Sequence, residues 1–423
     1  MMRSAWMAGA AALALISCDA DSAPPRSPEA VAAAALRAAP VFDGHNDVPE
    51  QLRERRRNVL GDFDFRDTRG TADPANDRGA MHTDLLRLRA GRVGAQFWSV
   101  YVDAKLPEPQ AVQATLEQVD VMKRLIARHP GDMLYCETAA CVEAALKAGK
   151  IASLLGAEGG HSIGGSLGVL RQLHAIGVRY MTLTHFNTLA WADSATDTPK
   201  HGGLTDFGRD VVREMNRLGM LVDLSHVSEA TMLDAIEVAK APVIFSHSGA
   251  GGVDDHPRNV SDRVLDLVKT NGGIVMVVSA PAYVSAGVRD WNALKSAEEA
   301  RLKARFTGNP DGAKAALAAW VAAHPSPKAT LAQLADHLDY IRRRIGADHV
   351  GLGGDFDGIG DTTEGFADVS AYPALFTELA RRGWSQAELE KLSSRNMLRV
   401  MRAAEAYAAS QRGAAPYENP TTF

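Results

Sequence analysis

Short apolar runs of strand length recur along the chain, each followed by a turn rich in Gly, Ser or Asp and then by a helical stretch. The runs are 41–47 (VFDGHND), 95–102 (AQFWSVYV), 151–159 (IASLLGAEG), 180–186 (YMTLTHF), 221–226 (LVDLSH), 242–248 (PVIFSHS), 273–278 (GIVMVV) and 350–357 (VGLGGDFD). They are rich in β-branched and aromatic residues, as buried strands are. Between them lie amphipathic segments such as 206–218 (DFGRDVVREMNRL) and 228–239 (SEATMLDAIEVA). Ser228 is placed to cap the second of these, with Glu229 in its first turn. Eight strands alternating with helices predict an α/β fold, a closed parallel (β/α)8 barrel of the TIM type. An open doubly wound sheet is the alternative. No GxGxxG string follows any run, which argues against a dinucleotide-binding sheet.

The barrel is expected over residues 41–410. Residues 285–345 are too long for one connection between strands seven and eight, and their Ala, Lys, Arg and Glu content reads as a helical insert. Ahead of the barrel, 18–40 reads as an Ala/Pro/Ser-rich tether and a short helix, and 411–423 reads as a loosely held tail. Residues 1–17 (MMRSAWMAGAAALALIS) carry one Arg and an apolar run too short to span a bilayer, the proportions of a secretory signal.

Composition narrows the function class. With 423 residues, 46% hydrophobic and 23% charged, the chain is neither generally disordered, nor a collagen-like fibre, nor a multi-span membrane protein. A net charge of −5 gives no basic field, so nucleic acid is not an expected partner. Three cysteines make no disulfide scaffold, and the spacing of Cys136 and Cys141 leaves a disulfide and two thiols equally open.

Chemistry collects where the runs end, the catalytic face of such a barrel. The first run ends in His45-Asn46-Asp47, the third in Glu158, the fourth in His185, the fifth in His226, the sixth in His247, and the eighth in Asp355 and Asp357. Metal-competent groups therefore close six of the eight runs. His45 and Asp47 stand at i and i+2, on one side of a strand, and can share one ion. His226 and His247 close consecutive strands and can bind a second, with the Glu158 carboxylate between the two. Such a donor set suits Zn²⁺ better than Mg²⁺, and two ions ~3.5–4 Å apart can polarise a carbonyl and activate a water. His161 falls in a loop, where it can orient a carboxylate or line the pocket. Asp357 shares strand parity with Asp355 until Gly358 turns the chain, and Tyr283 is a candidate to face substrate. The other histidines read as surface or helix residues.

The strings DGHND (43–47), GRVGAQFWSVYV (91–102), AEGGHS (157–162), RYMTLTH (179–185), WADSAT (191–196), DLSH (223–226), FSHS (245–248), HPRNVSD (256–262) and VGLGGDFDG (350–358) resemble those of the membrane dipeptidases of the renal dipeptidase type. The resemblance runs from about residue 40 to about residue 405. It implies a dinuclear zinc barrel that hydrolyses the amide of dipeptides, with His45 and Asp47 on one Zn²⁺, His226 and His247 on the other, and Glu158 bridging. His185 matches the family's substrate-binding histidine beside the scissile carbonyl, and Arg258 the arginine that holds the substrate's C-terminal carboxylate. Asp355 matches an acidic residue near the attacking water and the substrate amine, with base, proton shuttle and amine anchor all open to it. A homodimer is expected on the same ground. The string LISC (15–18) resembles a bacterial lipoprotein signal, which implies lipidation of Cys18 and a membrane-anchored protein facing the periplasm or cell exterior.

Three features depart from the family pattern. Residues 48–51 read VPEQ where many members carry an aromatic, the insert is longer than in mammalian members, and those are anchored at the other end of the chain. Two other readings were weighed. An amidohydrolase acting on another small amide or lactam often places a carboxylated lysine between its metals, and no Lys ends any run. A non-catalytic lipoprotein that binds a metal or small molecule is the other, although every candidate ligand is present.

Overall fold

The computed structural model describes residues 1–2, 5, 26–76 and 78–419. Apart from residues 1, 2 and 5, the leader read at 1–17, Cys18 and the first part of the tether lie outside the described residues. Among the described residues nine strands pair in parallel: β1 (Val41–Asp43), β2 (Val93–Tyr101), β3 (Met133–Tyr135), β4 (Ile151–Glu158), β5 (Val178–Thr182), β6 (Leu221–Asp223), β7 (Ile244–Ser248), β8 (Ile274–Val277) and β9 (Val350–Leu352). Eight of them form a ring in the order β2-β1-β9-β8-β7-β6-β5-β4, closed by pairing of β2 with β4. This is the expected (β/α)8 barrel. The additional strand, β3, pairs only with β4, at Ile151–Ser153, while β5 takes Leu155–Glu158.

The barrel interior is filled by Phe42, Phe97, Leu154, Tyr180, Ile274 and Met276, all fully buried. Each such side chain contributes about 1.5–3 kcal/mol on burial. Gly156 on β4 makes room for this layer, because a Cβ there would stand 2.1 Å from the Tyr180 ring.

The helices follow their caps. Asp206–Leu218 starts where Thr205 accepts the Gly208 N–H and stops at Gly219, which is left-handed at φ 78°. Glu229–Val238 starts where Ser228 accepts the Thr231 N–H, the cap expected there. The short helix before the barrel is Pro28–Ala38. The insert comprises Pro281–Val284, Ala286–Arg305, Pro310–Ala323 and Leu331–Ile345. The last packs against β8 and β9 and serves as the barrel's own crossover helix. The two middle helices pack on each other, with the Trp291 and Trp320 rings 6.1 Å apart.

Two expectations change. The tail is not loose through residue 419: the Tyr417 N–H reaches the buried Glu214 carboxylate at 3.2 Å, and its carbonyl accepts from Arg171 at 3.0 Å. Glu214 needs donors because it is buried, and the tail supplies one. Cys136 and Cys141, left open by their spacing, are joined in a disulfide. Among the described residues, no helix is long and apolar enough to cross a membrane.

Candidate metal centre and active site

Strands β1, β6 and β9 are only three residues long, because the chain leaves the sheet to deliver side chains above it. His45 and Asp47 are therefore not on a strand, as their spacing suggested. His45 lies in the segment after β1, and Asp47 is the N-cap position of helix Val48–Arg56. They still meet, with His45 Nε2 3.4 Å from Asp47 Oδ2. His226 and Asp355 also leave the sheet, in the left-handed region at φ 68° and 60°, and Asp357 follows at 71°. Such backbone is costly for non-glycine residues and clusters at functional sites. Glu158 stays on β4 and His247 on β7, while His185 lies three residues beyond β5.

Glu158 is the centre of the arrangement. Its Oε2 faces His45 Nε2 at 3.4 Å. Its Oε1 faces His226 Nε2 at 3.0 Å, His247 Nε2 at 3.3 Å and His185 Nε2 at 3.7 Å. Asp355 Oδ1 approaches His45 Nε2 at 4.0 Å. Three overlapping triads hold their ligand atoms within 4.8 Å of one another: His45-Glu158-His247, Glu158-His185-His226 and His45-Asp47-Asp355.

The donor chemistry fits metal ions. His226 and His247 turn Nε2 atoms toward each other at 2.9 Å, and both Asp47 oxygens and His45 Nε2 are buried without a hydrogen-bond partner. Burial holds His226 and His247 well below the ordinary imidazole range, in the neutral ligand form. Burial alone would raise the Glu158 carboxyl, but His45, His185, His226 and His247 outweigh it and hold it well below its usual value. Buried acceptors converging without donors are what a cation satisfies.

Two aspartates that were not among the sequence candidates order the chain around these residues. Asp43 accepts the N–H groups of His45 (3.1 Å) and Gly354 (2.9 Å) and the Tyr372 hydroxyl (2.6 Å). Asp223 accepts the N–H groups of Ser225 (3.1 Å) and Ser246 (2.8 Å) and the hydroxyls of Thr182 (2.5 Å) and Ser246 (2.6 Å). Each ties the end of its strand to the neighbouring one. Tyr180 OH lies 2.9 Å from His45 Nδ1 and Ser246 Oγ 2.8 Å from His247 Nδ1, which turns both Nε2 atoms to the centre. Ser99 donates to Glu158 Oε2 at 3.1 Å.

Around this core, His185 is held down to about 4 by burial, so its imidazole is neutral. Its ring lies between Tyr101, His226 and the exposed Phe186. Arg258 is 1% exposed, and it donates from Nη2 to the His247 carbonyl at 3.2 Å and from Nη1 to Ser248 Oγ at 3.5 Å. No carboxylate lies within ion-pair distance of it among the described residues, and the Tyr283 ring lies 5.3 Å from its guanidinium. Asp357 turns away from Asp355 to accept the His82 N–H at 2.7 Å. His161 is buried with Nε2 2.9 Å from the Val102 carbonyl, outside the three triads.

The family model for membrane dipeptidases (peptidase family M19) matches residues 29–414. Dipeptidase 3 from Macaca fascicularis is 40% identical over 392 residues, 92% of this chain and 70% of that protein. Among solved structures, the metallopeptidase dipeptidase AC of family M19 is similar with a TM-score of 0.68 at 26% identity, over 86% of this chain and 98% of that one. The probable dipeptidase PvdM from Pseudomonas aeruginosa has a TM-score of 0.75 at 23% identity over 90% of this chain and 99% of its own, a likeness of fold.

Proposed function

The chain belongs to the membrane dipeptidase family, peptidase family M19, a family of metal-dependent hydrolases of peptide bonds, and from that premise we propose that it is a dizinc dipeptidase. His45 and Asp47 would hold one Zn²⁺ and His226 and His247 the other, with the Glu158 carboxylate between them. The observation that carries this reading is the division of the Glu158 carboxylate, with Oε2 toward His45 and Oε1 toward His226 and His247. A zinc pair supplies Lewis acidity that polarises the scissile carbonyl and lowers the pKa of a water.

The protein's own groups do the rest. The buried Arg258 fork, without an internal carboxylate, binds the free C-terminal carboxylate of a dipeptide. A third residue in its place would replace that charge with an amide, which selects dipeptides over longer peptides. His185, neutral and 3.7 Å from Glu158, donates a hydrogen bond where the carbonyl oxygen becomes an oxyanion. Asp355 faces the same centre beside His45, placed to carry a proton there or to anchor the substrate's α-amine. Elemental analysis with a panel of dipeptides tests the reading: two zinc ions per chain and cleavage of free-acid dipeptides support it, and metal-loaded protein inert to all of them refutes it.

The same proposal places the protein outside the cytoplasm, held by a lipid on Cys18. The string preceding Cys18 and the Cys136–Cys141 disulfide, a bond favoured in oxidising compartments, support this.

A further inference from the structure

Past β1 the chain enters helix Val48–Arg56, whose Glu50 lines a cavity of about 310 Å³ with Gln51, His82, Asp357, Gly358 and Ile359. The cavity adjoins the metal centre. Gly358 belongs to its wall and packs against the centre, since a Cβ there would stand 2.3 Å from Asp47 Oδ2 and 2.7 Å from Asp355 Oδ1. Of the other charges in the cavity wall, Glu54 and Arg78 pair with each other at 2.9 Å, while Arg55, whose charge is felt at Asp357, has no carboxylate within ion-pair distance among the described residues. Arg55 donates to Gln51 Oε1 at 2.5 Å and to the carbonyls of Thr71 at 2.8 Å and Gly79 at 2.9 Å.

Two carboxylate groups are not matched. Glu50, half-buried, has no hydrogen-bond or ion-pair partner among the described residues. Asp357, 4% exposed, spends Oδ1 on His82, and its buried Oδ2 has no partner. The Thr83 hydroxyl nearby eases its charge without meeting hydrogen-bond geometry. Burial pushes the Glu50 carboxyl up to about 9, with Asp47, Glu158, Glu54 and Asp355 adding to the effect. A group in such surroundings gains most from a cation brought by a ligand.

We propose that this cavity receives the side chain of the substrate's N-terminal residue, and that Glu50 selects a cationic one, lysine or arginine. The proposal rests on the dipeptidase reading. With the C-terminal carboxylate held by Arg258 in the segment after β7, the N-terminal half of a dipeptide points across the ring, past β8 and β9, toward β1 and its helix. The aliphatic stem of the side chain passes Ile359, and its charged end meets Glu50, with Asp357 behind.

The test is kcat/KM of zinc-loaded protein for Lys-Ala, norleucyl-Ala and Glu-Ala, compared within the wild type, Glu50→Gln and Glu50→Lys. Because the readout is a ratio within one variant, a general loss of activity cancels. The wild type prefers Lys-Ala over norleucyl-Ala by roughly tenfold or more, Glu50→Gln brings that ratio near one, and Glu50→Lys turns the preference to Glu-Ala. Ala-Lys against Ala-norleucine, with the cation at the other position, shows no dependence on Glu50. Cleavage of neutral dipeptides without a preference for Lys-Ala, a preference that survives both substitutions, or a Glu50 dependence found at Ala-Lys overturns the inference while the dipeptidase reading stands. Protein carrying two zinc ions that cleaves none of these dipeptides overturns both.

Discussion

Arg258 and His185 are proposed to act on different groups of a dipeptide, and their chemistry gives them separable kinetic signatures. Arg258 is a buried guanidinium without an acidic partner. Replacing it with Met removes the counter-charge for the substrate carboxylate, a loss of about 2–5 kcal/mol for a pair whose other member stays buried. Arg258→Met therefore raises KM for a free-acid dipeptide and affects the C-terminal amide much less; an equal penalty on acid and amide contradicts the assignment. The hydrogen bond from His185 strengthens only as the oxyanion forms, so His185→Ala lowers kcat by roughly 10²–10³. A higher KM with kcat intact would make it a positioning residue. Steady-state kinetics of both variants on one dipeptide and its amide, with metal content checked, reads both outcomes. At this scale the sequence was informative where a His, Asp or Glu ended an apolar run: His45, Glu158, His185, His226 and His247 all converge. It was silent on Asp43 and Asp223, because a carboxylate that binds backbone N–H groups looks the same in one dimension as one that binds a metal. The signal available was that each precedes a histidine of the cluster by two or three positions, in DGH and DLSH.

Among elements, helices were the most legible, since a cap is written into a single residue, as at Ser228. Strand ends were less so. Periodicity cannot register that β1, β6 and β9 stop early while the chain turns through left-handed residues such as His226 and Asp355. β3 is three residues long and pairs along one edge, too short for a pattern. The tie between β6 and β7 makes its own prediction. Asp223→Ala strands the N–H groups of Ser225 and Ser246, at about 1–3 kcal/mol for each buried donor left unmatched. It also frees the Ser246 hydroxyl beside His247, which weakens metal binding by roughly 10–100-fold. Thermal unfolding with and without zinc measures both; unchanged metal affinity contradicts the orienting role. The crossover helix Leu331–Ile345 carries a second case. His337 accepts the Ala250 N–H on Nδ1 at 2.9 Å and has Nε2 3.3 Å from the Val284 carbonyl, so it bridges two segments as a neutral ring. Burial holds it down at about 4, against 6.5 for an ordinary histidine. Between those values the unfolded chain binds a proton that the folded chain refuses. The contribution is fully present above about pH 6.5 and is lost as pH falls toward 4, at most about 3 kcal/mol. His337→Gln therefore shows a shallower loss of stability across that window in urea unfolding, and a slope identical to wild type contradicts the assignment.

For the molecule as a whole, the barrel and its catalytic face were readable because eight strand-length runs alternate with helices and chemistry gathers at the same end of six of them. The tethering of the tail to Glu214 and the Cys136–Cys141 disulfide were not, since both depend on which distant or short-range surfaces meet after folding. If Cys18 carries the lipid that places this barrel at a membrane, Cys18→Ser leaves the protein unprocessed or soluble on fractionation, and an unchanged membrane fraction contradicts the anchor. In the proposed dizinc centre one carboxylate, Glu158, joins two metal sites into one catalytic unit. Stepwise zinc titration of metal-free protein, followed by dipeptide hydrolysis and elemental analysis in wild type and Glu158→Gln, tests it most directly. The expected result is two zinc ions per chain, activity that needs both, and impaired retention of both in Glu158→Gln. Full wild-type activity with one tightly held ion per chain would contradict it.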